Sequence, residues 1–151
     1  VAPGGSTGTS ASFSVDGTNF VLPGITGTLN TTEPGVYATK SVINGQIYYN
    51  VTANVGGNSG LLMLLHTDSL MANQDYTATG NSSEPYAFSY TKNGVMYQTI
   101  QASNLFTLHV SNITNGKLNG TFNGNLSTIS GTSYQTVVIS NGVLTNVKII
   151  Y

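Results

Sequence analysis

Turn dipeptides constrain the fold of this chain more than any other feature of its sequence. Runs of alternating apolar and polar residues flank each of Asp16-Gly17, Asn44-Gly45, Asn93-Gly94 and Asn141-Gly142. Such dipeptides are the strongest short signal for a β-hairpin, because a type I′ turn needs positive φ at both central residues. No long segment has helical periodicity. We therefore predict an all-β fold, an antiparallel β-sandwich or flattened barrel of roughly nine to eleven strands.

The stretch NGKLNGTFNGN, from Asn115 to Asn125, repeats Asn-Gly every four residues and allows two interpretations. One is a series of tight turns. The other, which we favour, is a single turn at Asn115-Gly116 followed by one long strand, because Leu118, Phe122 and Leu126 then share a face. Glycines inside that strand would leave room for large neighbours or let the strand bend at a sheet corner.

The run LLMLL, from Leu61 to Leu65, is the longest apolar run in the chain. We predict a fully buried strand here, with the start of a short helix as the alternative. One helical turn is expected over residues 69–74. The predicted core draws side chains from the whole chain: Phe20, Val51, Leu62, Leu64, Phe106, Leu108, Phe122 and Val147.

The low charge of the chain excludes several classes of partner. Charged residues make up 6% of the 151 residues, and the formal net charge is -1, whereas an average soluble protein has roughly 25% charged residues. Four Lys and no Arg cannot form the basic footprint of a nucleic-acid-binding protein. No apolar run approaches the ~20 residues of a membrane-spanning helix. A surface with little self-repulsion favours close approach of neighbouring copies.

The length suits one domain with a sizeable core. Residues 1–10, VAPGGSTGTS, are small and uncharged, and we predict a flexible tether or donor segment left after processing. Residues 11–151 are expected to form a single β domain. The chain has no Cys, which excludes disulfides and thiolate metal sites. The anchoring Cys of a lipoprotein would have to precede residue 1.

Two segments resemble a known family. GKLNGTFNGNLSTISGTSYQTVVISNGVLTNVKI, from Gly116, resembles the closing strands of small surface lipoprotein domains of Bacteroidota, and SASFSVDGTNF, from Ser10, resembles their opening strand. The resemblance implies a β-sandwich or barrel-like domain outside the cell, with no catalytic residues to carry over. The chain departs from that family in having few Lys and Glu residues. In this low charge its composition is similar to that of thread-like and pilus-like filament subunits of archaea.

Sequons for N-glycosylation indicate an exported protein. Six occur, where roughly four would arise by chance in this composition, and they begin at Asn30, Asn50, Asn81, Asn112, Asn119 and Asn125. Asp68-Ser69-Leu70 also matches the short O-glycosylation acceptor pattern of Bacteroidota, which makes Ser69 a candidate acceptor.

Candidate catalytic and metal-binding residues are few. The acids are Asp16, Glu33, Asp68, Asp75 and Glu84. Asp16 belongs to a turn, the two Glu each precede Pro, and nothing in the sequence pairs two carboxylates as a glycosidase requires. His66 lies two residues from Asp68 without a third ligand, and His109 is expected to be an exposed strand residue. We predict no enzyme activity, no cofactor and no metal site.

The nine Tyr are the most informative polar aromatic residues. One interpretation is that some of them form a sugar-stacking platform or a self-association surface. The other is that they are there because Tyr suits half-buried strands. The residues considered for such a surface are Tyr37, Tyr48, Tyr86, Tyr90 and Tyr97.

Two functions compete at this point, and both place the chain outside the cell or on its surface. The leading hypothesis is a non-catalytic subunit of a surface filament or layer that self-associates through β-strand contacts. The N-terminal segment would donate a strand to a neighbouring copy, or alternatively pair within its own sheet. Its donor residues would be Phe13, Val15, Phe20 and Leu22. The second hypothesis is a monomeric cell-surface lipoprotein domain that binds glycan or a protein partner.

Overall fold

The structure is a computed structural model that describes residues 10–25, 34–80 and 85–150. These residues form eleven β-strands and no helix, which confirms the all-β prediction. No helix in the described part of the chain is long and apolar enough to cross a membrane. In chain order the strands are β1 (Ser10–Val15), β2 (Thr18–Pro23), β3 (Gly35–Ile43), β4 (Gln46–Gly56), β5 (Ser59–His66), β6 (Gln74–Thr79), β7 (Tyr86–Lys92), β8 (Val95–Gln98), β9 (Leu105–Thr114), β10 (Lys117–Ser130) and β11 (Ser133–Ile150).

The hydrogen-bonded strands form two layers that join at their corners. One layer has the order β2-β1-β11-β10-β9-β6, and the other has the order β3-β4-β5-β7-β8. At one corner, Ile149 of β11 pairs in parallel with Ala38 of β3. At the other, Ser127 of β10 pairs with Gln98 of β8. Every strand pairing except that of β11 with β3 is antiparallel. The fold is therefore a flattened barrel or sandwich.

Stacked phenylalanines link the two layers across the core. Phe88 of β7 and Phe106 of β9 lie on opposite layers, and their ring centroids are 4.6 Å apart. Phe106 also stacks on Phe122 of β10, at 6.4 Å. Five predicted core residues are confirmed as buried: Val51, Phe106, Leu108, Phe122 and Val147. Phe20 is partly buried and packs against this core.

Four of the predicted two-residue turns are confirmed. The Asn or Asp and the Gly that follows it both have positive φ, for example 52° and 78° at Asn44-Gly45, as a type I′ turn requires. The four turns are Asp16-Gly17, Asn44-Gly45, Asn93-Gly94 and Asn115-Gly116. In the first, the backbone N–H and a carboxylate oxygen of Asp16 also bond the backbone of Val138 in β11, at 2.9 and 2.8 Å.

The stretch after Asn115-Gly116 is one long strand, as predicted. Leu118, Phe122 and Leu126 of β10 all point into the core. The glycines between them allow the close approach of β9. A Cβ on Gly120 would lie 2.4 Å from the carbonyl oxygen of His109, and one on Gly124 would lie 2.3 Å from that of Leu105.

The predicted hairpin at Asn141-Gly142 is wrong, because β11 runs through it without a break. Asn141 has the expected positive φ of 54°, but it forms a bulge, at which the pairing with both β1 and β10 shifts by one residue. A bulge needs the same backbone conformation at one residue as a turn does. The next residue must be glycine for a steric reason, since a Cβ on Gly142 would lie 2.4 Å from the Phe122 ring.

The strand predicted for Leu61 to Leu65 is confirmed as part of β5, but the prediction that it is fully buried is wrong. In β5 the side chains of Leu61, Met63 and Leu65 are buried, whereas Leu62 is 39% exposed and Leu64 is half-buried on the outer face. Leu62 and Leu64 therefore do not belong to the core. The helical turn expected over residues 69–74 is absent, since residues 67–73 form a loop with a turn at Ala72-Asn73.

A buried polar network fixes the corner between β8 and β10. The Oδ1 atom of Asn104 accepts the backbone N–H groups of Ile100 and Gln101 at 3.0 and 2.7 Å. Its Nδ2 atom donates to Asn125 Oδ1 at 2.7 Å and to Ser127 Oγ at 3.0 Å. Asn104 is only 2% exposed, so this one buried side chain joins the loop after β8 to β10 through four hydrogen bonds.

Replacing Asn104 with alanine is expected to lower the free energy of unfolding by about 2–3 kcal/mol, because four hydrogen bonds to a buried side chain are lost. Urea denaturation followed by circular dichroism measures the change. Ser103→Ala is the matched control, since Ser103 is exposed one residue away. A loss at Asn104 no larger than at Ser103 would show that the network does not stabilise the corner.

Candidate binding groove on the five-stranded layer

A shallow groove of about 440 Å³ lies on the outer face of the five-stranded layer. Strand pairing builds it, because residues that pair across antiparallel strands point to the same face. One row crosses four strands through the pairs Tyr37–Thr52, Thr52–Leu62 and Leu62–Ser89. The row therefore presents a phenol, two hydroxyls and an aliphatic side chain to solvent.

A second row runs beside the first and deepens the groove. Asn54 pairs with Gly60, Gly60 with Thr91, and Thr91 with Met96. Gly60 leaves a gap in this row, since a Cβ there would already lie 3.2 Å from the carbonyl oxygen of Ala53. Met96 is 51% exposed and provides apolar surface at the edge of the groove.

Two connected loops form the rim at one end of the groove. The N–H of Gly94 donates to the carbonyl oxygen of Asn58 at 3.1 Å, and the N–H of Asn93 donates to Ser59 Oγ at 3.0 Å. On the groove side, Asn54 Oδ1 accepts the N–H of Gly56 at 3.1 Å. The bonds of Gly94 and Asn93 tie the β4–β5 connection to the β7–β8 turn, and the bond of Gly56 holds the end of β4.

The groove lining is uncharged. It consists of Tyr37, Thr52, Asn54, Gly57, Asn58, Ser59, Gly60, Leu61, Leu62, Ser89, Thr91 and Met96. The lining contains no Asp, Glu, His, Lys or Arg. The arrangement offers hydrogen bonds and apolar contact to a neutral ligand.

The tyrosines considered for a binding surface separate into two groups. Tyr90 and Tyr97 are buried in the core and Tyr86 is half-buried against it, so the three do not form an exposed platform. Tyr37 and Tyr48 remain on the outer face, and only Tyr37 lines the groove.

Burial raises the pKa of the Tyr90 phenol, and the Asp16 carboxylate raises it further. Burial likewise raises the pKa of Tyr76.

Among the described residues, one histidine pairs with an acidic side chain. His109 Nδ1 lies 2.6 Å from Asp75 Oδ1 on the surface of neighbouring strands, a pairing that the sequence did not indicate. His66 instead stacks on Tyr48, with ring centroids 4.6 Å apart. Within the described residues, no group of three His, Cys, Asp or Glu is placed to hold a metal ion. Glu33 and Glu84 lie outside the described residues.

The candidate glycosylation sites differ in their surroundings. Asn112 is exposed and Asn50 is half-buried. The amide of Asn119 fills a bulge of β11, where its Oδ1 accepts the N–H of Asn146 at 3.0 Å, and the amide of Asn125 is bonded to Asn104. Ser69 is exposed in the loop after β5. Asn30 and Asn81 lie outside the described residues.

Sequence reasoning missed most of the groove but contained a signal for it. The alternation in β4 placed Thr52 and Asn54 on a polar face, opposite Val51 and Ala53, and that face is the outer one. The pairing partners on β5 and β7 were not predictable from this pattern alone. No protein-family model matches the chain, and no curated protein or solved structure matches it significantly.

Proposed function

We propose that the chain is a non-catalytic binding domain that holds a neutral saccharide in the groove. The observation that carries the proposal is the chemistry of the lining. Hydroxyl and amide groups of Thr52, Ser89 and Asn58 lie beside the apolar surfaces of Leu62 and Met96. A sugar presents the same combination, with hydroxyl groups at its edge and C–H groups on its faces, and Tyr is a frequent partner for such a surface.

Charge supports a neutral ligand over an ionic one. The groove has no Lys, Arg or His to pair with phosphate or carboxylate, and no acidic side chain to pair with a cation. Burying an unpaired ionic group against this surface would be unfavourable. A hydroxyl-rich neutral ligand instead exchanges its hydrogen bonds with water for bonds to amides and hydroxyls.

The groove favours the binding-domain hypothesis over the filament hypothesis. The filament hypothesis rests on the low charge of the chain, with a strand donated by the N-terminal segment as its means of assembly. In the single chain that segment already pairs within its own layer, so the geometry adds no support for donation. An extracellular or cell-surface location, as in a lipoprotein, is part of the proposal, and the sequons and the low charge support it.

Replacing Tyr37 with alanine is expected to weaken binding of a neutral oligosaccharide at least about tenfold, equivalent to ~1.4 kcal/mol, because Tyr37 is the aromatic residue of the groove lining. The measurement is calorimetric titration with the oligosaccharide that binds best in a panel of neutral glycans. Tyr48→Ala is the matched control, because Tyr48 lies on the same face outside the groove lining. The proposal fails if no glycan in the panel binds the native chain, or if both variants lose equal affinity.

A further inference from the structure

The six Asn-Gly pairs of the chain differ in what holds the N–H of their glycine. This difference matters because Asn-Gly can deamidate spontaneously. The glycine nitrogen loses its proton to a solvent base and attacks the side-chain carbonyl carbon of Asn, and the side-chain nitrogen leaves as ammonia. Water then opens the resulting succinimide to aspartate or isoaspartate. A glycine N–H that is held in a hydrogen bond must first be released, which requires local opening.

Three of the pairs lie inside strands that have a partner strand on each edge. Gly120 and Gly124 belong to β10, which pairs with β9 on one edge and with β11 on the other. Gly142 is buried beneath the Phe122 ring. A strand with partners on both edges uses most of its N–H groups in the ladder, and Gly120 and Gly142 are in addition buried. These sites therefore react only after a part of the core opens.

The other three pairs lie in hairpin turns, and one of them is held. The N–H of Gly94 donates to Asn58 at the groove rim. No hydrogen bond of the Gly45 or Gly116 N–H is found within the described residues, and Asn44, Gly45 and Asn115 are exposed. The turns at Asn44 and Asn115 thus leave the attacking nitrogen free.

We infer that Asn44 and Asn115 are sites of spontaneous deamidation in the native protein and that Asn93 is protected by the groove rim. The aspartate product fits the turn, because Asp16-Gly17 already occupies the same turn type with a φ of 49° at Asp16. Neither Asn44 nor Asn115 lines the groove, so the new carboxylates leave its lining uncharged. A carboxylate at Asn93 would stand at the rim itself.

The test incubates the native chain at mildly alkaline pH and follows each Asn-Gly peptide by mass spectrometry, with the chain in denaturant as the reference. In denaturant all six pairs should react at comparable rates. In the native chain, Asn44 and Asn115 should react at least about tenfold faster than Asn93 and the three strand sites, a factor that ~1.4 kcal/mol of local opening produces. The double variant Asn44→Gln, Asn115→Gln should remove the early acidic species in isoelectric focusing.

Two results would overturn the inference. One is reaction at Asn93 or at a strand site as fast as at Asn44. The other is an unreactive Asn44 and Asn115 in the native chain under conditions that deamidate the denatured chain. The test is independent of the proposed function, because it needs no saccharide and no binding measurement.

Discussion

Deleting residues 1–15 is expected to abolish cooperative folding of the chain. The deletion removes β1, whose Ala11, Phe13 and Val15 side chains are buried in the core. Loss of one buried Phe alone costs about 3–5 kcal/mol, which approaches the whole stability of many domains, about 5–15 kcal/mol. The deletion also exposes the edge of β11 that pairs with β1. Thermal denaturation followed by circular dichroism measures the result.

Deletion of residues 1–9 is the matched control, because it leaves β1 in place. The comparison also tests the donor-strand hypothesis, in which Phe13, Val15, Phe20 and Leu22 would fill the sheet of a neighbouring copy. In the structure these residues lie in a hairpin that pairs with β11 of the same chain. Donation would be favoured instead if the chain without residues 1–15 melts cooperatively at nearly the melting temperature of the full chain and no longer self-associates.

Replacing Phe122 with alanine is expected to lower the free energy of unfolding by about 3–5 kcal/mol. Phe122 is 1% exposed, and its ring lies 5.7 Å from Phe13 and 6.4 Å from Phe106 between centroids. It also covers Gly142, which cannot fill the resulting cavity. Urea denaturation gives the change in unfolding free energy.

The control for Phe122 is Asn123→Ala, since Asn123 is the next residue of β10 and is exposed on the opposite face. Its expected cost is within about 0.5 kcal/mol, as for most surface substitutions. If Phe122→Ala costs less than about 1 kcal/mol, the core is not packed around this ring as described.

The hairpins show how far local chemistry predicts the fold. Four turn dipeptides form type I′ turns, because their backbone preference and the alternation of the flanking runs agree. Asn141-Gly142 has the same two residues and the same positive φ at Asn141, yet it is a bulge. The distinction depends on β1 and β10, which hold β11 straight from both sides. That information is non-local, so no dipeptide rule contains it.

The groove was harder to predict than the fold for a related reason. Five consecutive apolar residues hide the phase of β5, so the sequence pattern alone predicts Leu62 in the core. Its register with Thr52 of β4 and Ser89 of β7 instead places Leu62 on the outer face. A binding surface made of Thr, Ser, Asn and Gly also has no spacing that distinguishes it from an ordinary polar face. Only the strand pairing brings these residues together.

A nitrogen–proton correlation NMR titration with a neutral oligosaccharide tests the central claim most directly, because it locates the ligand on the sheet. The account predicts saturable shifts at the backbone amides of Tyr37, Gly60 and Leu62, with the amides of Thr121 and His109 on the six-stranded layer unchanged. Saturable shifts on the six-stranded layer with the groove amides unmoved, or no shift with any glycan tested, would contradict it.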